Sequence, residues 1–391
     1  MSAERRQVEF FHLVPQISYG RGAARRAGEA LRDLGVRRVL VVSDPGVLAA
    51  GVVDPVLSSL KHAGISYVTF SEVRTNPSEK HVDAAVQAYR DNDCDGVLGI
   101  GGGSALDVAK SAAVIESHGG SIADFEDGAR AVTMPTPPLV LVPTTAGTGS
   151  EAVAGAIITD SARAFKMHIV ATPAHVALCD PELTLTLPAG PTAAAGVDAL
   201  AHAIGAYVSS ERQPLADAMA LYAVSSIFHA LPDAVADGAD LDARDRMMTG
   251  SLAAGISMKG GGAVDHAFAH AVNAMFDVHH GVGVALFLTD GMEFNLPHLP
   301  TRFAALAGAL GVANGSDSAF RQGEAAIRAV RDMVAALPIP TLGELGVTAA
   351  HVPELVTKVM ADKFHLGLNP VPLTEQDAES VLSAAVRRGT L

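Results

Sequence analysis

Apolar and polar positions are arranged differently in the two halves of the chain. In the first half, short apolar runs rich in β-branched residues are separated by longer segments whose apolar positions recur with helical spacing. This pattern predicts strands at residues 38–43, 67–70, 96–100 and 139–143, and helices at 23–34, 82–89 and 105–115. Repeated strand and helix units of this size favour a parallel, doubly wound sheet.

From about residue 186 the chain has few β-branched runs and many segments rich in Ala and Leu. Helices are predicted among them at 215–231, 243–256 and 318–337. The predicted fold class is α/β: an N-terminal doubly wound (Rossmann-like) parallel-sheet domain followed by an all-α C-terminal domain. We expect the first domain to span residues 1–185 and the second to span 186–391.

Composition narrows the class of protein. The chain has 391 residues, enough for two cores, and its 49% hydrophobic and 18% charged residues are typical of a compact protein. The net charge of −14 argues against binding to nucleic acid or to an anionic membrane. The polar start of the chain does not resemble a secretory leader, and no apolar run approaches the ~20 residues that span a bilayer. Since Cys94 and Cys179 are too few for a disulfide framework, we expect a cytoplasmic protein.

Residues 262–283 carry four histidines in otherwise apolar surroundings. His266 and His270 are four residues apart, so on a helix they share a face. His279 and His280 follow at a Gly-rich bend, where the chain can fold back towards that face. This segment can therefore offer several imidazoles to one site.

Asp198 and His202 repeat the four-residue spacing in a second segment of small apolar residues. For a single histidine in an apolar helix, a core or capping position is the ordinary interpretation. Four candidate ligands in two nearly uncharged segments favour a metal site instead, because a buried carboxylate is costly unless it is paired or bound to a metal. One carboxylate and several imidazoles would suit a single divalent metal.

A Gly-rich turn, Gly101-Gly102-Gly103-Ser104, lies between a predicted buried strand and the next helix. Glycine lets the backbone approach a ligand closely, and the free N–H groups at a helix start attract a pyrophosphate. The turn is not the complete fingerprint of dinucleotide-binding folds, so alone it is a weak signal.

Asp44 directly follows the first of the predicted strands. An acid at this position can accept hydrogen bonds from the adenosine ribose hydroxyls and repels a 2′-phosphate, which favours NAD over NADP. The alternative interpretation is a turn-forming aspartate before Pro45 and Gly46.

Together these motifs resemble the iron-containing (group III) alcohol dehydrogenase family. The resemblance rests on Asp198-x-x-x-His202, His266-x-x-x-His270 and His280-Gly281, together with the glycine turn and the segment Pro-Thr-Thr-Ala-Gly-Thr-Gly-Ser-Glu at 143–151. It extends over nearly the whole chain. It implies that Asp198, His202, His266 and His280 bind the metal, and that His270 is the catalytic, non-ligand histidine beside the nicotinamide.

The resemblance also implies where the dinucleotide binds. Its contacts would come from Asp44, Asn76, Gly101, Gly102, Gly103, Ser104, Thr144, Thr145, Thr148, Lys166 and Leu183. The cofactor would be NAD, with NADP less favoured. The cofactor would then belong to the first domain and the metal to the second, with the reaction in the cleft between them.

The implied function is that of a metal-dependent NAD(P) oxidoreductase that interconverts a small alcohol and its aldehyde or ketone by hydride transfer, with the metal activating the substrate oxygen. Kinship implies Fe²⁺, and the same mixed nitrogen and oxygen ligands suit Zn²⁺ as the alternative. The expected partner is a small-molecule alcohol or aldehyde. We expect a homodimer or a higher homo-oligomer, with no nucleic-acid or membrane partner.

Several positions depart from the family pattern. Asp265 directly precedes a predicted ligand, Ala-Val-Asn at 271–273 replaces the usual Pro-Leu-Gly, and Asp-Lys-Phe-His at 362–365 stands where a small residue or cysteine is often found. Lys259 and His365 could bind a substrate that carries a carboxylate, phosphonate or sulfonate, and plain surface charge is the alternative. These departures leave the substrate open rather than the reaction class.

Other functions share the architecture. Within it, the alternatives are a glycerol dehydrogenase, a maleylacetate-reductase-like enzyme and a hydroxyacid–oxoacid transhydrogenase that keeps its nucleotide bound. From a different class, a dehydroquinate-synthase-like lyase would use NAD transiently. The segment 143–151 and the four-ligand pattern favour the alcohol dehydrogenases. A purely structural metal is the least favoured, since it needs no nucleotide turn beside it.

Overall fold

The N-terminal half of the computed structural model is built on a parallel sheet, and the structure describes residues 15–258 and 263–389. Six strands form that sheet in the order β1-β8-β5-β4-β2-β3, and two more form a separate antiparallel pair, β6 and β7. The eight strands are β1 Gln16–Tyr19, β2 Arg38–Val42, β3 Ser66–Phe70, β4 Gly96–Gly101, β5 Leu139–Pro143, β6 Gly155–Asp160, β7 Phe165–Val170 and β8 Val176–Cys179.

Helices cover both faces of the six-stranded sheet. They are α1 Ala27–Asp33, α2 Pro45–Ala49, α3 Asp54–Ala63, α4 Glu79–Asp91 and α5 Gly103–His118. Alternate residues of β2 point to opposite faces: Val39 and Val41 pack in the layer with α1 and α3, whereas Leu40 and Val42 pack in the layer with α4 and α5. The predicted doubly wound sheet is thereby confirmed.

The strand order reverses between β2 and β4. From β2 the chain leads outwards to β3 and then returns to β4 on the other side of β2. Asp44 follows the carboxyl end of β2, and Gly102 follows that of β4. In open parallel sheets, ligands bind outside the carboxyl ends of the strands at such a reversal. Asp44 and the glycine turn therefore flank the expected binding crevice.

The β6–β7 hairpin leaves the sheet and lies against α4 and α5. Lys110 of α5 is completely buried, donates a hydrogen bond to the Gly155 carbonyl at the start of the hairpin, and pairs with Asp107 at 3.1 Å. This buried contact fixes the base of the hairpin. The second strand of the hairpin carries Lys166 and His168 to the edge of the cleft.

The C-terminal half is helical in the described residues. Its helices are α6 Ala189–Val208, α7 Pro214–Ala236, α8 Leu241–Ser257, α9 Val264–Phe276, α10 His280–Asn295, α11 Pro300–Ala309, α12 Ala319–Ala335, α13 Val352–Ala361, α14 Lys363–Leu368 and α15 Glu375–Gly389. Helix α6 is buried from Thr192 to Val208 and packs against α7, α8 and α10. A helix that is apolar on all sides belongs in a core.

By length and composition alone α7 could cross a bilayer, and here it packs beside α6 and α8.

A short turn brings α10 back along α9. Asp277 adopts the left-handed conformation with a φ of 49°, and α10 begins at His280. The first turn of α10 approaches α6 so closely that a Cβ on Gly281 would lie 2.2 Å from the Ala194 carbonyl oxygen. Glycine at this position therefore lets His280 reach α6.

The predicted elements are all present with small shifts of their ends, and the predicted helix at 23–34 is a 3-10 turn followed by α1. The sequence pattern missed β1, β6, β7 and β8. The connection between the halves runs from Cys179 to Ala189. The boundary expected at 185/186 lies in this connection, and the division into two domains stays a prediction.

Candidate active site

A cleft of about 1230 Å³ lies between the two halves. Its walls come from the carboxyl edge of the sheet, the β6–β7 hairpin, and helices α6, α9, α10 and α14. It is a single continuous space. The glycine turn and the histidine-rich segment both open into it.

Four predicted ligands converge at one end of this cleft. Asp198 and His202 lie one turn apart on α6, His266 lies on α9, and His280 is the first residue of α10. The Nε2 atoms of the three imidazoles lie 3.8, 3.7 and 3.4 Å from Asp198 Oδ1, in the order His202, His266, His280. One ligand atom from each of the four residues lies within 4.8 Å of the others, a spacing that could hold a metal ion.

The chemistry of these four side chains fits a divalent metal. Asp198 Oδ1 and His266 Nε2 are buried and have no hydrogen-bond partner among the described residues. Unpaired buried polar atoms are costly, so a ligand is the ordinary explanation for them. Ligand atoms at the vertices of a tetrahedron around a metal are about 3.4 Å apart for bonds of ~2.1 Å. The observed distances of 3.4 to 3.8 Å are close to that value.

The electrostatics of the cluster favour a positive charge at its centre. Desolvation would lower the pKa of His266, but the Asp265 and Asp198 carboxylates outweigh it and raise that pKa to about 10. Desolvation likewise would raise the pKa of Asp198, yet His202, His280 and His266 hold it below its usual range. Burial lowers the pKa values of His202 and His280, which keeps both imidazoles neutral and able to bind a metal.

His270 belongs to a different cluster from the four ligands. Its Nδ1 lies 3.0 Å from Asp362 Oδ2, and His365 Nδ1 lies 2.9 Å from the same oxygen. These three side chains are also close enough to hold an ion. Their atoms are at ordinary hydrogen-bond distances, however, so the cluster is satisfied without one. Burial lowers the pKa of His270 to about 4, and His270 and His365 both line the cleft.

The glycine turn lies at the other end of the cleft. Gly102 precedes α5, and a Cβ on Gly103 would lie 2.6 Å from Thr148 Cγ2, so the turn needs glycine at position 103. Nearly all of the predicted cofactor contacts line the cleft: Asp44, Asn76, Gly102, Gly103, Ser104, Thr144, Thr145, Thr148, Lys166 and Leu183. Gly101 does not. It ends β4 with a φ of 153°, a value that favours glycine.

Asp44 meets both interpretations of its position. Its Oδ1 accepts a hydrogen bond from the Val47 N–H at 2.9 Å and caps α2, which begins with Pro45. Its Oδ2 points towards Gly101, where a Cβ would lie 3.3 Å away. Asp44 is thus a helix cap that also lines the cleft.

Asn76 joins the two halves of the molecule. Its Nδ2 donates to Asp277 Oδ1 at 2.9 Å, and its Oδ1 accepts from Lys166 Nζ at 2.6 Å. Desolvation lowers the pKa of Lys166 to about 8, although Asp277 opposes the shift. Through Asp277, Asn76 is therefore joined to the short turn between α9 and α10, which ends at His280.

Some residues that line the cleft could not be assigned a role from the sequence. Phe364 stacks on His168 with ring centroids 3.7 Å apart, and both side chains line the cleft. His168 lies on a strand that the sequence pattern missed, so its position could not be predicted. Asp265, Asn273 and Asp362 are marked in the sequence only as departures from the family pattern. Lys259, a candidate anion contact, lies outside the described residues.

Two family models cover most of the chain. Residues 15–181 match the family described as iron-containing alcohol dehydrogenase, and residues 192–386 match its C-terminal region, described as Fe-containing alcohol dehydrogenase family, C-terminal. Most of the residues that line the cleft therefore lie within these matches.

Sequence similarity to other dehydrogenases extends over nearly all of the chain. The choline dehydrogenase of Bacillus subtilis (strain 168) is 39% identical over 94% of this chain and 92% of its own length. The NAD-dependent methanol dehydrogenase of Bacillus methanolicus is 35% identical over 96% and 99%. Among solved structures, a 1,3-propanediol oxidoreductase is 33% identical, with a TM-score of 0.93 over 96% of this chain and 100% of that one.

Proposed function

The chain belongs to the iron-containing alcohol dehydrogenase family, and from this membership we propose how its cleft works and what it accepts. It is an NAD-dependent oxidoreductase that interconverts an alcohol and its aldehyde or ketone. The observation that carries the proposal is that the four-ligand cluster and the glycine turn open into one cleft. Metal and nicotinamide would then both reach a substrate bound between them.

We assign the metal to Asp198, His202, His266 and His280. Bound there, a ferrous ion would supply Lewis acidity to the oxygen of an alcohol or carbonyl substrate. Zinc accepts the same ligands and is the alternative. The chain's own contribution is to hold one carboxylate and three imidazoles in place, in a site shielded from bulk water.

We assign the proton transfer to His270. Because Asp362 accepts a hydrogen bond from Nδ1–H of His270, the lone pair of this imidazole resides on Nε2. The His270 ring lines the cleft, and its centroid lies 5.3 Å from that of His280. Its Nε2 can therefore accept the hydroxyl proton of a substrate and pass it towards solvent. Asp362 fixes this tautomer without contacting the substrate.

The dinucleotide is assigned to the crevice at the strand reversal. N–H groups at the start of α5, exposed by Gly102 and Gly103, would bind the pyrophosphate, and Asp44 would accept from the ribose hydroxyls. Lys166 and Asn76 stand between this crevice and the metal end. The cofactor carries the hydride, so the protein acts mainly by placement.

We propose a short alcohol with a second polar group that is not anionic as the substrate. His365 lies beside the ligand cluster, with ring centroids 5.4 Å from His266, and can contact such a group. Arg74 and Lys166 are the only arginine or lysine that line the cleft within residues 15–258 and 263–389. Lys166 is already hydrogen-bonded to Asn76, and the remaining basic side chains that line the described part of the cleft are histidines.

A substrate panel with each metal tests this function. Ethanol, 1,3-propanediol, choline and an ω-hydroxy acid are assayed with NAD, after loading with Fe²⁺ or Zn²⁺ under anaerobic conditions. We expect steady accumulation of NADH, with kcat/KM highest for the diol or choline. Absence of net NADH would favour the transhydrogenase or the lyase, and preference for the hydroxy acid would overturn the assigned substrate class.

We also propose a cytoplasmic location and a homodimer or higher homo-oligomer. Cys94 and Cys179 are both buried and unpaired, which supports a reducing compartment. Light scattering coupled to gel filtration would measure the oligomeric state. A monomer at micromolar concentration would contradict the expected assembly.

A further inference from the structure

Two of the positions that depart from the family pattern lie directly behind metal ligands. Asp265 is buried, and its Oδ2 is 3.1 Å from Nδ1 of His266, which is buried as well. The other ring nitrogen, Nε2, is the one that faces Asp198. Asp265 is thus placed to hold the proton of His266 on the side away from the cluster.

Asn273 stands in the same relation to His280. Its side-chain amide lies 3.2 Å from His280 Nδ1, and His280 Nε2 faces Asp198 at 3.4 Å. The Asn273 Oδ1 atom is buried without a partner in the described part of the chain. Rotation of the amide about its Cβ–Cγ bond exchanges oxygen and nitrogen, so that Oδ1 accepts from His280 Nδ1–H.

A glycine makes room for this amide. A Cβ on Gly283 would lie 2.2 Å from Asn273 Oδ1, which no neighbouring side chain could tolerate. Asn273 on α9 and Gly283 on α10 therefore fit each other at the point where the two helices meet. The absence of a side chain at Gly283 thus leaves room for the Asn273 amide beside His280.

We propose that Asp265 and Asn273 are positioning residues of the metal centre. They hold His266 and His280 with the proton on Nδ1 and the lone pair on Nε2, facing the ion. This inference rests on the ligand set assigned under the proposed function. Hydrogen-bond acceptors behind a ligating histidine orient the ring and make it a better donor to the metal.

Asp265 adds a second effect, because it is charged. With Asp198 as the only carboxylate, a divalent ion would keep one net positive charge. The buried Asp265 carboxylate supplies the second negative charge one imidazole away from the ion. The centre as a whole then becomes neutral, which favours retention of the metal in a desolvated site.

Metal affinity tests the proposal directly. The dissociation constant for Zn²⁺ is measured by competition with a chelator, using the full-length chain stripped of metal. Asp265→Asn keeps the shape of the side chain but removes its charge, and we expect about tenfold weaker binding. Asn273→Leu leaves His280 Nδ1 without an acceptor, and about tenfold weaker binding is expected again.

The control is Glu293→Gln, which removes one negative charge from the exposed side of α10, where Glu293 pairs with Arg331. This variant should bind Zn²⁺ like the wild type. Saturation with Co²⁺ gives a second readout, since a reoriented imidazole changes the visible absorption of the ion. Excess metal should restore kcat in both test variants.

Two outcomes separate this inference from the ligand assignment. If His266→Ala loses Zn²⁺ while Asp265→Asn and Asn273→Leu bind it with wild-type affinity, the positioning roles are wrong and the ligand set stands. If His266→Ala also binds normally, the ligand set itself is wrong. Should Asp265→Asn fail to fold, as judged by thermal melting, Asn273→Leu decides the question.

Discussion

The two carboxylate oxygens of Asp44 lie in different surroundings. One oxygen caps α2 through the Val47 N–H, and the other lies next to the glycine turn. Sequence alone offered these as competing interpretations, a turn former or a ribose contact. The structure places the side chain so that the first task leaves an oxygen available for the second.

Asp44→Ser separates the two tasks. Serine is also a good helix cap, so stability should be retained while the negative charge is lost. We expect the kcat/KM for NADP relative to that for NAD to rise about tenfold, corresponding to roughly 1.4 kcal/mol of relieved repulsion. Asp54→Asn, an acid outside the cleft, should leave the ratio unchanged. An unchanged ratio in Asp44→Ser would mean that Asp44 does not contact the ribose.

His270→Ala tests the histidine assigned to proton transfer. The variant should retain its metal, because His270 pairs with Asp362 rather than with the ligand cluster. Turnover should fall ~10²-fold if acid–base relay is its main contribution. His298→Ala, an exposed histidine, is the control. Wild-type turnover in His270→Ala would make the residue structural, and metal loss equal to that of His266→Ala would make it a ligand.

Helices, central strands and two local pairs of candidate site residues could be predicted from sequence at the element scale. Strong apolar periodicity indicated β2, β4, β5 and most long helices. Strands β1 and β8 have only four residues each, too few for a pattern, and the β6–β7 hairpin mixes polar and apolar positions. The four-residue spacings of Asp198 with His202 and of His266 with His270 are local and therefore visible in the sequence.

Contacts behind the histidines could not be predicted in this way. Asp362 lies 92 residues from His270, so no local pattern joins them. Asp265 and His266 are neighbours in sequence, but adjacent side chains on a helix do not normally face each other. Helix α10 comes close to Asp265 here, since a Cβ on Gly291 would lie 3.1 Å from the Asp265 Cβ.

The close contact between α10 and α6 can be tested by adding a methyl group at Gly281. In Gly281→Ala the new Cβ would lie 2.2 Å from the Ala194 carbonyl oxygen, so α10 must shift and carry His280 with it. We expect the free energy of unfolding to fall by about 1–3 kcal/mol, together with weaker metal binding. Chemical denaturation and plasma emission spectroscopy measure the two effects.

Gly308→Ala is the matched control for that substitution. Gly308 lies in α11 with nothing within 4 Å of the added Cβ. Alanine should stabilise this helix by about 0.5–1 kcal/mol. A Gly281→Ala protein as stable as wild type and fully loaded with metal would show that α10 can move without disturbing the site.

One buried acid, Glu151, should make the free energy of unfolding of the whole molecule depend on pH. Glu151 is buried, and desolvation raises its pKa to about 7 from an ordinary value of 4.5, although Lys110 opposes the shift. The folded state therefore holds this proton more tightly than the unfolded chain does. Its contribution to the free energy of unfolding falls as the pH rises from 4.5 to about 7 and is constant above that.

Glu151→Gln imitates the protonated acid and should remove this dependence. Relative to wild type, the variant should gain on the order of 3 kcal/mol between pH 4.5 and pH 8. Denaturant unfolding of both proteins across that range measures the difference. Parallel pH profiles would mean that Glu151 keeps an ordinary pKa in the folded protein.

Asn76 accepts a hydrogen bond from Lys166 of the hairpin and donates one to Asp277, in the turn between α9 and α10. A nucleotide bound against this side chain would therefore also hold the turn that leads into His280. We expect nucleotide and metal to be coupled ligands, and such coupling is reciprocal: the factor by which one tightens the other is the same in both directions. Depleting the protein of either ligand should then weaken its binding of the second.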